Sequence, residues 1–348
     1  MVDWSLARQI ADLSAGADDP AAYDVDLGAI CADIEGPVAG YTGLELGEPM
    51  PAPELVSRSQ WAEANLVSLS ELLDPVAARL DDRLSFAGPL AGALRVGAAA
   101  TVAAEAGLVM GYVSHRVLGQ YEVSLLGGDR SPRLLFVAPN LRRAVSDMGV
   151  ERSAFERWIC AHEVTHVYQF QGVPWLRDHL AALLSKYLES VEVRIDRGAA
   201  GGLPSIPSPS RLVETFREGG LAALIQTREQ RGVMARLQAA MAVIEGHSEH
   251  VMDSLGERLI PDLPTLRAAM ARRRRSRSAP ERVVERLLGL DLKLAQYELG
   301  KSFCDAVVEH GGIEALNAVW REPAALPDER ELRDPAAWLE RAGQPAAA

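Results

Sequence analysis

The sequence is poor in aromatic residues and in cysteine, and both shortages narrow the class of protein. Aromatic side chains make up 5% of the 348 residues, although 48% of the residues are hydrophobic. The core must therefore consist mainly of Ala, Leu and Val, which favours closely packed helices. The three cysteines lie far apart and form no C-x-x-C pair, so we expect no disulfide framework and a cytoplasmic location. They are Cys31, Cys160 and Cys304.

The chain also lacks an excess of positive charge and a long uninterrupted apolar run. The net charge of -12 argues against nucleic acid as a partner. The N-terminus has no apolar segment of the kind that signal peptides carry. The most apolar stretch, residues 84–114, is interrupted by Arg95 and Glu105. Its uncharged runs are shorter than the roughly 20 residues that a membrane span needs. We therefore predict buried core helices and no membrane partner, and the oligomeric state stays open.

Hydrophobic periodicity predicts a mainly α, multi-helix fold with at most a small strand element. The best strand candidate is residues 134–137, and residues 198–210 are the best loop candidate. We expect a single domain over residues 1–348, with an N-terminal helical part over about 1–130 and a metal-site part over about 131–340. The predicted helices cover residues 3–13, 27–34, 56–80, 84–118, 141–148, 153–171, 175–196, 211–226, 230–255 and 281–310.

One short motif carries most of the chemistry, and it is His162-Glu163-Val164-Thr165-His166. It reads H-E-x-x-H, the signature of zinc peptidases. Histidines at i and i+4 lie about 40° apart on one helical face and can bind one metal ion. The glutamate between them can act as general base towards a water molecule.

The surroundings of the motif predict a buried helix. Ser153 and Glu156 have the spacing of a capping box, so we expect the helix to begin at Ser153. Gly172 and then Pro174 should end it. Apolar residues flank the motif on both sides, and buried polar groups without partners are costly. A bound metal would account for the two histidines. The alternative is a buried helix whose histidines are held by hydrogen bonds alone.

Catalytic zinc usually has three protein ligands, and the third is not obvious in this sequence. The longer metzincin motif is absent, because its glycine position holds Gln169 and its last histidine position holds Gly172. Glu189 and Glu192 lie at the distance typical of thermolysin-like enzymes. The helix that carries them is highly charged, so a solvated face explains them more simply.

A second segment, residues 241–253, is rich in possible metal ligands. At 100° per residue, Glu245 borders the buried stripe of this helix, whereas His247 and His250 point away from it. We therefore predict that Glu245 is the third ligand and that both histidines are surface residues. Glu249 is either a group that orients a ligand or a partner in a surface salt bridge. Glu189, Glu192, His247 and His250 remain alternatives for the third ligand.

Three segments together resemble a known family. They are HEVTH at 162–166, PWLR at 174–177 and EGHSEHVMD at 245–253. They resemble the zincin-like family of mainly actinobacterial, zinc-metallopeptidase-like proteins. VDW at 2–4, GLDLK at 289–293 and QYELG at 296–300 resemble the branch that gene neighbourhood associates with biosynthesis of the deazaflavin coenzyme. The resemblance covers roughly residues 2–338, and it implies a mainly helical, zincin-like fold without a defined substrate.

Two kinds of function follow from these patterns. The first is a zinc-dependent hydrolase, most simply a metallopeptidase acting on a peptide or small amide, with His162, His166 and Glu245 as zinc ligands and Glu163 as catalytic base. The second is a non-catalytic scaffold or binding protein of the same fold, connected with deazaflavin coenzyme metabolism.

A hydrolase also needs a group that stabilises the developing oxyanion. Tyr297, Tyr168 and His250 are the candidates, and the sequence does not distinguish them. For Tyr297, a packed side chain with a bonded hydroxyl is the simpler role.

Overall fold

The mainly α prediction is confirmed in the computed structural model, which describes residues 2–17, 19–84, 91–127, 130–190, 228–275 and 290–342. Within these ranges the structure has one sheet, of three short strands. The strands are β1 (Pro53–Val56), β2 (Gly119–Glu122) and β3 (Arg133–Val137). The helices are α1 (Trp4–Ala15), α2 (Leu27–Thr42), α3 (Arg58–Leu84), α4 (Ala91–Ser114), α5 (Ala138–Met148), α6 (Arg152–Gly172), α7 (Leu176–Ser190), α8 (Arg228–Leu259), α9 (Leu263–Arg275), α10 (Leu290–Asn317), α11 (Glu329–Arg333) and α12 (Pro335–Ala342).

Several sequence predictions fall outside the described residues. These are the loop over 198–210, the helix over 211–226, and parts of the helices over 175–196 and 281–310. Within the described ranges, the helix predicted from residue 56 begins at Arg58, because Val56 ends a strand. Strands β1 and β2 were not predicted, since each has four residues and gives too short a pattern to recognise.

The sheet has the strand order β1-β3-β2, so the predicted strand 134–137 lies at its centre. Strand β1 is parallel to β3, and β2 is antiparallel to β3, with Gly119 opposite Phe136. Successive side chains of β3 point to opposite faces. Leu134 and Phe136 belong to the core that contains α6, whereas Leu135 and Val137 belong to the core that contains α3 and α4. The sheet therefore places β2 beside the motif helix.

The chain divides into two compact units. Unit 1 contains Met1–Pro174 and Val251–Met270, and unit 2 contains Trp175–His250 and Ala271–Ala348. Helix α8 is one continuous helix, and the division falls within it. The expectation of a single domain over 1–348 stays a prediction.

In unit 1, small residues allow close helix packing, as the composition predicts. A Cβ atom on Gly107 of α4 would lie 2.5 Å from the carbonyl oxygen of Ala7 in α1. A Cβ atom on Gly111 would lie 2.3 Å from the Cβ atom of Ser14. Of the described helices, the stretch Val96–Ser114 of α4 is long and apolar enough to cross a membrane, judged by length and composition alone. The expectation of no membrane partner therefore stays a prediction.

In unit 2, the N-terminal part of α8 packs closely on α10. A Cβ atom on Gly246 would lie 2.2 Å from the carbonyl carbon of Gly300, and a Cβ atom on Gly300 would lie 1.9 Å from the carbonyl oxygen of Ala242. No other residue type fits at such a crossing without moving a backbone. The face of α8 that carries His247 and His250 is buried in this unit.

Candidate metal centre

The motif lies in the middle of α6, which extends one residue beyond the predicted range 153–171 at each end. The expected capping box is wrong. The N-cap is Glu151, whose side chain accepts hydrogen bonds from the backbone N–H groups of Ser153 and Ala154, at 3.0 and 2.6 Å. The Ser153 hydroxyl also donates to this carboxylate and is the main reason that the pKa of Glu151 is lowered. The Glu151 carboxylate thus caps the helix N-terminus in place of the expected Ser153 cap.

His162 and His166 point their Nε2 atoms at the same place. The two Nε2 atoms are 3.1 Å apart, and the ring planes are nearly perpendicular, at 83°. Two nitrogen ligands of a tetrahedral zinc ion, each about 2.05 Å from the metal, are about 3.3 Å apart. The spacing of the two histidines therefore fits zinc with little movement.

The opposite nitrogen of each ring faces an acceptor. Nδ1 of His166 lies 2.7 Å from Oε1 of Gln169, and Nδ1 of His162 lies 3.3 Å from Sδ of Met252. A thioether and an amide oxygen only accept hydrogen bonds, so the tautomers with the proton on Nδ1 suit both rings. In those tautomers the two Nε2 atoms face the same place, as two ligands of one metal ion do. The donor set is therefore suited to a metal ion.

Glu163 is held against the sheet. It is 5% exposed, and its Oε2 atom accepts a hydrogen bond of 2.9 Å from the backbone N–H of Tyr121 in β2. Gly119 of the same strand leaves the space that the Glu163 side chain fills. The sequence predictions missed Gly119 and Tyr121, because β2 is short and lies about 40 residues before the motif. The only available signal in the sequence was a glycine next to a four-residue alternating pattern, which could have indicated a short strand with room for another side chain.

The predicted third ligand, Glu245, is half-buried on α8 and belongs to unit 2. Its assignment as a ligand beside His162 and His166 stays a prediction. Glu245 and Met252 are seven residues apart and share one face of the helix to within about 20°. Met252 is the residue that contacts His162.

Of the alternatives for the third ligand, the structure describes Glu189, His247 and His250. Glu189 is exposed on α7, and Glu192 falls outside the described residues. The expectation that His247 and His250 are surface residues is wrong, since they are 0% and 7% exposed. His247 packs edge-on against the Trp320 ring, 5.3 Å between centroids. The angular argument placed these histidines away from the Glu245 face but could not show that the far face of α8 is also buried.

His250 has a charged partner within unit 2. Its Nδ1 atom lies 2.7 Å from Oδ1 of Asp305, and Nζ of Lys301 donates to Oδ2 of the same carboxylate at 2.6 Å. Burial alone would raise the pKa of Asp305, but the hydrogen bonds from Lys301 and His250 lower it overall. This arrangement accounts for His250 as a member of a local hydrogen-bonded cluster with Asp305 and Lys301.

The structure describes only some of the remaining candidates, which were proposed to stabilise an oxyanion or to orient a metal ligand. Tyr168 lies in the apolar core of unit 1, where burial and, to a lesser extent, the charge of Glu35 raise its pKa. The side chain of Tyr297 falls outside the described residues. Glu249 is half-buried on α8. An oxyanion stabiliser therefore stays unassigned.

A mainly helical protein whose H-E-x-x-H helix directs two histidine nitrogens to one point belongs to the class of zinc-peptidase-like proteins. The comparisons with known proteins agree. The chain belongs to the zincin-like metallopeptidase family, whose model matches residues 2–339. It is also similar to a protein of known structure, described as "a putative hydrolase with a novel fold from Chloroflexus aurantiacus". The two are 31% identical, with a TM-score of 0.71 over 99% of this chain and 100% of the other. No curated protein matched the chain.

Proposed function

We propose that the protein is a zinc-dependent hydrolase of the metallopeptidase type, acting on a peptide or small amide. The observation that carries this proposal is the paired Nε2 atoms of His162 and His166, 3.1 Å apart, next to a buried Glu163. Membership of the zincin-like metallopeptidase family supports the zinc, and the likeness to a structure described as "a putative hydrolase" supports the reaction class.

His162, His166 and Glu245 would hold the zinc ion. When bound, zinc supplies a Lewis acid that polarises a carbonyl oxygen and acidifies a water molecule. Glu163 would accept the proton from the attacking water and then deliver it to the leaving amine. The hydrogen bond from the backbone N–H of Tyr121 to Oε2 would hold the Glu163 carboxylate in place for this proton transfer.

The alternative is a non-catalytic protein connected with deazaflavin coenzyme metabolism. A purely structural zinc site needs no base, whereas here the carboxylate of Glu163 is buried and held by a backbone N–H group. This difference favours an enzyme. The deazaflavin connection, the cytoplasmic location and the absence of nucleic acid and membrane partners stay predictions.

The test combines metal analysis with hydrolysis assays on purified wild type, Glu163→Gln and Glu245→Ala. We expect about one zinc per chain in wild type and in Glu163→Gln, and reduced zinc in Glu245→Ala. Glu189→Ala is the matched control for Glu245→Ala and should keep its zinc.

A panel of short peptides and simple amides then tests turnover, which should be lost in Glu163→Gln. Wild-type protein without stoichiometric zinc at neutral pH would overturn the proposal. Equal turnover in wild type and Glu163→Gln would reject Glu163 as the base.

A further inference from the structure

Strand β2 holds the catalytic carboxylate of Glu163 in two ways. One of its backbone N–H groups binds the carboxylate, and a glycine in the strand leaves room for it. The relevant contacts all lie within unit 1, between β2 and α6. Oε2 of Glu163 accepts the N–H of Tyr121 at 2.9 Å. Only side chains held in place by their neighbours keep the geometry that catalysis needs. The contacts that β2 makes with Glu163 therefore bear on catalysis.

The ladder pattern of the sheet shows which backbone groups of β2 face α6. The N–H of Val137 donates to the carbonyl oxygen of Leu118 at 2.9 Å, so these two residues form a hydrogen-bonded pair. Pairs alternate along an antiparallel ladder. Gln120 therefore bonds towards β3, while the N–H and C=O groups of Gly119 and Tyr121 point out of the sheet. The Tyr121 amide thus donates to Glu163 instead of to β3.

Gly119 makes room for the same side chain. A Cβ atom at this position would lie 2.8 Å from both Cγ and Oε1 of Glu163, and 3.0 Å from Cδ. The two distances of 2.8 Å are shorter than real Cβ contacts, so any larger residue would displace the carboxylate. Gly119 has no positive φ angle, so its backbone conformation does not require glycine. The close approach to Glu163 is the remaining reason for a glycine here.

We propose that Gly119 and the backbone amide of Tyr121 are positioning groups that form a seat for the Glu163 carboxylate on β2. The seat selects one conformation of Glu163 and prevents it from turning away from the two histidines. Its catalytic consequence rests on the proposed hydrolase function, whereas the seat itself does not depend on that function.

Gly119→Ala tests the space in the seat. We expect zinc content to stay at the wild-type level, kcat to fall about 100-fold and KM to change little, because only the base is displaced. Gly40→Ala in α2 is the matched control, since a Cβ atom there meets nothing within 4 Å. Wild-type kcat in Gly119→Ala would overturn the proposal.

Tyr121→Pro tests the amide, because proline removes the N–H without removing a ladder bond and is tolerated on edge strands. Tyr121→Ala is its control for the loss of the ring. We expect kcat to fall in the proline variant well beyond its value in the alanine variant, at equal zinc content. Equal kcat in the two variants would contradict a role for the amide.

Hydrogen exchange gives a readout that needs no substrate. The Tyr121 amide should exchange about five- to tenfold faster in Glu163→Ala than in wild type, because it loses its acceptor. It should stay protected in Glu163→Gln, whose side-chain oxygen still accepts. Equal exchange in wild type and Glu163→Ala would overturn the seat even if hydrolysis were confirmed. Conversely, faster exchange in a protein without hydrolase activity would support the seat and reject only the proposed function.

Discussion

The protein has two pairs of buried or half-buried histidines, and only one of them is arranged for a metal. His162 and His166 on α6 bring their Nε2 atoms to 3.1 Å, with each Nδ1 held by an acceptor. His247 and His250 on α8 face two different partners, the Trp320 ring and the Asp305 carboxylate. In sequence the second pair lies in the segment richer in ligand-type residues.

The difference teaches that the environment of each ring decides its role. In the first pair, each Nδ1 atom faces an acceptor and the two Nε2 atoms meet at one point, which suits two ligands of one cation. In the second pair, the Asp305 carboxylate already satisfies His250 and is itself paired with Lys301. A carboxylate that is used in this way stabilises unit 2 and contributes nothing to a metal site.

Replacing each histidine by alanine in turn should give the largest difference between the two pairs, measured as zinc content. We expect His162→Ala and His166→Ala to reduce zinc from about one per chain to near zero, because each removes a ligand of a three-ligand site. His247→Ala and His250→Ala should keep their zinc. Atomic absorption on dialysed protein measures the metal content, and circular dichroism shows that each variant is folded. Loss of zinc in a folded His250→Ala variant would assign this histidine to the metal site.

The sequence predicts the paired histidines of this site better than the strand that holds Glu163. The H-E-x-x-H spacing places His162 and His166 together because it depends only on the local period of one helix. The choice of Glu245 from the helical angles of residues 241–253 stays a prediction. Gly119 and Tyr121 could not be found in this way, since strand pairing brings them to Glu163 from a distant part of the chain. The burial of His247 was missed for a related reason: the contact with α10 depends on Gly246 and Gly300, which carry no hydrophobic signal.

The two residues that contact the Nδ1 atoms of the metal-binding pair should contribute unequally to zinc affinity. Gln169 offers His166 an amide oxygen at 2.7 Å, whereas Met252 offers His162 a thioether sulfur, a weak acceptor, at 3.3 Å. We expect Gln169→Leu to weaken zinc binding about 10- to 100-fold, the usual effect of losing such a partner, and Met252→Leu to weaken it less. Competition with a chromogenic chelator measures the affinity.

Gln171→Leu on the same helix is the control for Gln169→Leu and should bind zinc as wild type does. If Met252→Leu weakened binding as much as Gln169→Leu, the sulfur contact would be as important as the amide. That result would contradict the expectation that an amide oxygen is a stronger hydrogen-bond acceptor than a thioether sulfur.

The surroundings of the second histidine pair should have a smaller effect, on how the stability of the folded protein depends on pH. The pKa of Asp305 lies below its ordinary value of 3.8, because Lys301 and His250 stabilise the charged form against the effect of burial. A carboxylate with a lowered pKa stabilises the folded state above its unfolded pKa, and this contribution disappears as the pH falls through the folded value. Asp305→Asn should therefore be less stable than wild type at pH 7, by no more than about 1 kcal/mol since the side chain is partly exposed. Urea denaturation in the presence of a chelator should show this difference shrinking below about pH 4. A difference that stays constant from pH 7 to pH 3 would show that packing, and not charge, makes Asp305 useful to unit 2.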